Sequence, residues 1–207
     1  MGVPEHARLV ADLIDAEAGG RAIIIGHSNG GRIALHMASS AEFEQHVDRL
    51  VLISPSGVPP LRTASYHVKR TMARALKAPF AILPGRAREF GLDWLRHSLV
   101  WKLLGSSDYR ALSGTMQETF VRTVNFYVDD RLSAIDVPVL LFWGTKDEAV
   151  TRHQIDIMER AIPDVGVVQL EDAGHYGYLD DFDTFLAATL KFLDVTETES
   201  VTEAEDI

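Results

Sequence analysis

The sequence predicts an α/β fold: a parallel sheet with helices on both faces. Three observations predict it. Short apolar runs rich in β-branched residues (22–25, 47–53, 136–143 and 165–170) alternate with helical patterns, and such alternation implies parallel strands joined by crossover helices. The first run leads through Gly26-His27-Ser28-Asn29-Gly30-Gly31 into a helical pattern, which is the strand–turn–helix context of a Gly-x-Ser-x-Gly nucleophile turn. The last two runs each open into a polar loop, one with Asp147 and one with His175. In parallel sheets ligand sites lie beyond the carboxyl ends of the strands.

The elements follow in order. Pro4–Ala18 reads as a helix, with Leu9, Val10, Leu13 and Ile14 on one face and Gly19-Gly20 as the stop. Arg21–Ile25 reads as a buried strand from its continuous apolar run. A helix follows the turn and ends near Ser39-Ser40. Val47–Ile53 is a second strand, running into the loop Ser54-Pro55-Ser56-Gly57-Val58-Pro59-Pro60. Residues 62–128 have helical composition, several aromatic residues and interrupting glycines and prolines. They predict a helical insertion, then a helix returning to the sheet at Met116–Phe126. Asp136–Trp143 is a third strand, Thr151–Ile162 a helix, Val165–Leu170 a fourth strand and Glu171–Tyr178 a loop. Asp181–Leu193 is a terminal amphipathic helix. The chain thus divides into core residues 1–58 with the nucleophile turn, an insertion and return helix at 59–125, core residues 126–193 with the acid and histidine loops, and a tail at 194–207.

Composition narrows the function classes. The 207 residues are 46% apolar and 24% charged, ordinary for a globular domain. No cysteine is present, which excludes disulfides and thiolate metal sites and fits a reducing, cytoplasmic setting. No apolar run approaches the length of a membrane span, and the acidic N-terminal segment does not read as a secretory signal. The net charge of −10 is uneven: the tail holds six acids and no base, and reads as disordered, whereas 59–110 carries ten Lys/Arg against three acids. That basic stretch is interleaved with apolar residues and has no nucleic-acid motif, so it is most simply a solvated face.

Chemistry concentrates on three residues. A serine hydroxyl is a poor nucleophile unless held exposed beside a base, and a sharp turn between strand and helix does this. Small residues two places either side of Ser28 would let strand and helix approach closely, and the helix N-terminus adds unpaired amides near a developing oxyanion. The alternative is a glycine-rich turn whose serine merely caps the helix. His175 would take the Ser28 proton and return it to the leaving group, and Asp147 would hold the His175 tautomer. Asp147 competes with Glu148 and Asp172, and is favoured by its register after Trp143-Gly144. His27 reads as a packing residue under the turn, and His36 and His46 as helix or surface residues.

Ser, then Asp, then His in separate strand-end loops resembles the α/β-hydrolase superfamily. The matching stretches are Gly26-His27-Ser28-Asn29-Gly30-Gly31, Phe142-Trp143-Gly144-Thr145-Lys146-Asp147 and Asp172-Ala173-Gly174-His175, and the resemblance runs from about Val3 to Leu193. It implies a Ser28–His175–Asp147 triad, the Asn29 backbone amide as an oxyanion donor, no metal or organic cofactor, and a helical cap at the insertion, including Gly105–Arg110. A small ester-like substrate is the expected partner, with no nucleic acid and no membrane span. Carbon–carbon bond hydrolysis or perhydrolysis would use the same triad. The resemblance also implies strands ahead of the nucleophile strand and a loop supplying a second oxyanion donor. The chain as given starts at the helix just before that strand. The expectations are therefore an N-terminally shortened core, an apolar sheet edge at 22–25 open to self-association, and a half-built oxyanion hole. The shortening would reflect a longer natural chain, an edge paired with another chain, or a shortened form of weak or no activity serving as an interaction module.

Overall fold

Strands β1 (Ala22–His27), β2 (Val47–Ile53), β3 (Val139–Gly144) and β4 (Val165–Leu170) form one parallel sheet in chain order. The computed structural model describes residues 2–61 and 115–194 and a few positions between 68 and 85. The chain forms two compact units, Met1–Pro60 with Arg122–Ile207, and Leu61–Val121. Most of the expected helical insertion, its basic stretch, Gly105–Arg110 and tail residues 195–207 lie outside the described residues.

The helices described are α1 (Val3–Glu17), α2 (Asn29–Ala38), α3 (Thr115–Val124), α4 (Arg152–Ala161), the single turn α5 (Gly177–Asp180) and α6 (Phe182–Phe192). α1 stops where Gly19 and Gly20 take left-handed backbone conformations (φ 68° and 90°), which glycine adopts without steric cost. α5 interrupts what the sequence presented as a plain loop at 171–178. Among the described residues, no helix is long and apolar enough to cross a membrane.

Successive strand residues point to opposite faces, and this builds three layers. Leu50, Leu52, Val139, Leu141 and Trp143 face one core with Ala7, Ala11 and Ile14 of α1, Leu35 of α2 and Ile155 and Met158 of α4. Val51, Ile53, Leu140, Phe142 and Leu170 face the second core, closed by Phe185, Ala188 and Phe192 of α6.

β1 is the apolar sheet edge expected at 22–25 rather than the fully buried strand its local run suggests. Ile24 packs into the first core, but Ile23 and Ile25 are 42% and 55% exposed on the other face. Among the described residues β1 pairs only with β2, so it is a sheet edge, a position that leaves backbone groups unpaired.

His36 and His46 are buried rather than superficial. His36 sits between Phe43 and Phe126 in edge-on contacts, with ring centroids 5.7 and 5.0 Å away, and neither ring nitrogen has a partner among the described residues. Burial, reinforced by Arg131, pushes its pKa below the usual histidine value of 6.5. Protonation therefore favours the unfolded chain, and the His36 contribution is lost as the pH falls below about 6.5. Urea midpoints measured from pH 7.5 to 5 are expected to fall less steeply in His36→Leu than in the parent. Parallel slopes would remove His36 from the account.

Candidate active site

The turn after β1 is built by backbone geometry. Ser28 has φ 50° and ψ −110°, a strained conformation for a residue with a side chain. It is held at both ends: its N–H donates to the Ile53 carbonyl (3.0 Å), and its own carbonyl accepts from the Arg32 and Ser56 amides (3.2 and 3.0 Å) and from Ser56 Oγ (3.0 Å). Ser28 stands at the N-cap of α2, yet its side chain makes no capping bond. The capping alternative thus lacks its defining contact, and the hydroxyl is not engaged by the helix.

The glycines around this turn divide differently from the motif's spacing. A Cβ on Gly26 would lie 2.8 Å from backbone atoms of Gly30 and Gly31, and one on Gly31 would lie 2.6 Å from Pro55 Cβ and 2.9 Å from its Cα. A Cβ on Gly30 would meet nothing within 4 Å. The close approach of strand and helix therefore needs Gly26 and Gly31, not the glycine two places after Ser28. Gly30→Ala is expected to change the thermal midpoint by less than about 2 °C, and Gly31→Ala to cost on the order of 1–3 kcal/mol by overpacking. Thermal unfolding of both variants checks this, and equal losses would contradict it.

Asn29 follows with its backbone N–H in the first turn of α2, where helix amides lack intrahelical partners. Its side-chain carbonyl accepts from Arg32 Nη1 at 3.0 Å. Arg32 is itself buried, donates also to the Thr123 carbonyl, and has its pKa lowered by that burial.

Asp147 and His175 are brought together directly. His175 Nδ1 lies 2.9 Å from Asp147 Oδ2. Asp147 Oδ1 accepts from the Ala149 and Val150 amides at 2.8 and 2.9 Å, and the side chain is completely enclosed. Burial alone would raise the Asp147 pKa. The Val150 amide, His175, Ser54 and the Ala149 amide outweigh it, holding the carboxyl below its ordinary value. Neither competing acid takes this place: Glu148 is exposed, and Asp172 is exposed and paired with Lys146.

The two loops are laced to each other. Lys146 N–H donates to the Ala173 carbonyl (2.9 Å) and the Asp172 amide to Thr145 Oγ1 (2.9 Å). Gly144 allows the approach, because a Cβ there would lie 2.4 Å from the carbonyl oxygens of Ala173 and Gly174. Trp143 Nε1 donates to the Val150 carbonyl (2.8 Å), fixing the far end of the acid loop.

His27 connects the serine turn to the histidine loop. Its Nε2 donates to the His175 carbonyl at 2.9 Å, and its ring lies 4.8 Å from the His175 ring and 5.0 Å from Tyr176. The packing role expected of His27 is thus joined by a hydrogen bond that holds the residue bearing the imidazole. Ser54 and Ser56, which read in sequence only as loop formers, also belong to this neighbourhood. Their sole sequence signal was their place at the carboxyl end of a strand. Among the described residues no cluster of side chains suited to a metal ion occurs.

Comparisons with known proteins agree with this architecture. The chain is 29% identical over 216 residues to an uncharacterized protein of Mycobacterium tuberculosis, covering 94% of this chain and 62% of that protein's length. It is 24% identical to the esterase YbfF of Escherichia coli, covering 93% of this chain and 75% of the relative. The solved structure of a meta-cleavage product hydrolase from Pseudomonas fluorescens superposes with a TM-score of 0.62 at 16% identity, covering 94% of this chain and 72% of the other. At that identity the likeness shows the fold. The model of the alpha/beta hydrolase fold family matches residues 1–182, a span that takes in the Ser28 turn, the Asp147 loop and His175. The chain belongs to the alpha/beta hydrolase fold family.

Proposed function

We propose that the protein is a serine hydrolase acting on a small ester-like substrate through Ser28, His175 and Asp147. The observation that carries this reading is the enclosed Asp147 carboxylate 2.9 Å from His175 Nδ1, in a loop tied through His27 to the strained Ser28 turn. A proton on Nδ1, donated to Asp147, leaves the Nε2 lone pair free to accept the Ser28 proton. Ser28 Oγ attacks the ester carbonyl, and the Asn29 amide stabilises the oxyanion as it forms. Collapse of the tetrahedral species expels the alkoxide, which takes the proton from His175 and leaves an acyl-serine. Water, deprotonated by His175, then releases the acid and restores Ser28. The esterase relative supports this substrate class. The test is pre-steady-state hydrolysis of p-nitrophenyl butyrate: a burst of nitrophenol equal to the enzyme concentration is expected, absent in Ser28→Ala. Turnover unchanged in that variant would sink the reading.

A second reading, an interaction module, is favoured by the exposed Ile23 and Ile25 on the β1 edge. Size-exclusion chromatography with light scattering, run alongside the burst assay, separates the two. A stable oligomer without turnover supports the module; turnover in the monomer fraction supports the hydrolase.

A further inference from the structure

The two ends of the Ser28–Asn29 peptide serve different purposes. A trans peptide is planar, with its C=O and N–H pointing in opposite directions. The Asn29 N–H is the oxyanion donor of the proposed mechanism, so whatever holds the Ser28 carbonyl also aims that donor. The torsion that swings both together is Ser28 ψ. It stands at −110° with φ at 50°, whereas a residue at that φ ordinarily settles near ψ of about +47°. The N–H is therefore held in a strained direction, and such backbone persists only where its surroundings over-determine it.

The Ser28 carbonyl carries more donors than the helix needs. The Arg32 N–H, at 3.2 Å, makes the bond that opens α2. Ser56 N–H and Ser56 Oγ donate as well, each at 3.0 Å. A carbonyl oxygen has two lone pairs, so the two amides already fill it and the hydroxyl is a third donor. Ser56 comes from the loop after β2, and that loop is fixed along its length. Ser54 N–H donates to the Phe142 carbonyl (2.8 Å), Val128 N–H to the Gly57 carbonyl (2.9 Å) and Gln154 Nε2 to the Val58 carbonyl (2.8 Å). Pro55 abuts α2 so closely that a Cβ on Gly31 would lie 2.6 Å from its own Cβ. The Ser56 donors thus reach the Ser28 carbonyl from a braced support.

We propose that Ser56 is a positioning residue for the oxyanion donor: its hydroxyl and amide hold the Ser28 carbonyl and thereby fix the direction of the Asn29 N–H. This rests on the hydrolase reading of the same site. Polarisation acts with the same sign. Each donor on the carbonyl draws charge through the peptide and strengthens its N–H as a donor in turn. Both effects grow with the negative charge on the substrate oxygen, so they favour the transition state over the bound ester.

Ser56→Ala removes the hydroxyl donor, and Ser56→Thr keeps it. With p-nitrophenyl butyrate, kcat is expected to fall by about three- to tenfold in Ser56→Ala with KM unchanged, and to recover in Ser56→Thr. A trifluoromethyl ketone gives the readout that a merely structural role would not move. Ser28 Oγ adds to its carbonyl carbon, the hydroxyl proton passes to His175, and the carbonyl oxygen becomes an oxyanion. Its inhibition constant is expected to rise in Ser56→Ala by the same factor as kcat falls, at a temperature where the variant is folded. If Ser56→Ala does not fold, Ser56→Thr against Ser56→Val, alike in shape, makes the same comparison. Parent-like kcat and inhibition in the variant without the hydroxyl, or a loss confined to KM, would overturn the proposal. If the parent protein shows no Ser28-dependent burst, the hydrolase reading fails by itself. The Asn29 amide proton then decides: its NMR resonance is expected to move upfield in Ser56→Ala and not in Ser56→Thr, and an unmoved resonance overturns the proposal.

Discussion

Asp147→Asn is expected to lower hydrolytic turnover by about 10⁴-fold while leaving the fold in place. The size follows from the hydrogen-bond inventory of the carboxylate. Oδ1 accepts from two backbone amides, Ala149 and Val150, so the carbonyl oxygen of an asparagine would take that side. Its NH2 group would then face His175 Nδ1, where the native oxygen accepts. Two donors cannot share that contact. The imidazole would change tautomer, placing its lone pair on Nδ1 and its proton on Nε2, and Nε2 could no longer take a proton from Ser28. The same substitution removes the negative charge that stabilises the imidazolium. Circular dichroism and steady-state kinetics on the purified variant check both halves. A loss smaller than about tenfold with folding intact would show that Asp147 does not act through His175.

Gly144→Ala is expected to destabilise the protein by about 3 kcal/mol or more and to slow catalysis in whatever fraction folds. The added Cβ would lie 2.4 Å from two carbonyl oxygens, those of Ala173 and Gly174. Both belong to backbone immediately before His175, and neither can turn aside as a flexible side chain would. Relief requires the histidine loop to move off β3, breaking the Lys146–Ala173 hydrogen bond and shifting the imidazole relative to Asp147. A displacement of about 1 Å at such a site is enough to cost on the order of 10² in rate. Urea unfolding gives the stability loss, and kcat at a temperature where the variant is folded gives the rate. A wild-type unfolding midpoint would contradict the close approach.

Much of the fold was legible because period and punctuation agree. Val47–Ile53 and Val165–Leu170 are short, largely apolar stretches bounded by polar loops, and both strands keep those limits in the structure. The Arg21–Ile25 run is the more continuously apolar and by itself reads as buried, yet Ile23 and Ile25 are exposed, as the expected sheet edge requires. Burial of a strand depends on its neighbours in the sheet, which a local run does not encode. His36 shows the converse. A histidine on a helix reads as superficial, but α2 is enclosed by α1, β1 and the segment bearing Phe126, so most of its residues are buried.

The candidate site was legible in part for a chemical reason. A nucleophile turn and two strand-end loops announce themselves by residue type and order. The supporting contacts do not, because they depend on which backbone atoms approach. The spacing of Gly-x-Ser-x-Gly pointed to Gly30, whereas the helix phase turns Gly31 onto Pro55. Ser54 looked like one more polar residue in a Pro/Gly/Ser loop until its burial and left-handed backbone were seen. His27 read as packing, and only the structure places its ring nitrogen on the His175 carbonyl.

The central claim is that Ser28 is a nucleophile activated by His175. Its most direct measurement is peptide mapping by mass spectrometry after reaction with a fluorophosphonate, in the parent protein and in His175→Ala. The account predicts a single covalent adduct on the peptide containing Ser28, formed at least about 10³-fold more slowly in His175→Ala. An adduct on another residue, or labelling of Ser28 at the same rate in both proteins, would contradict it.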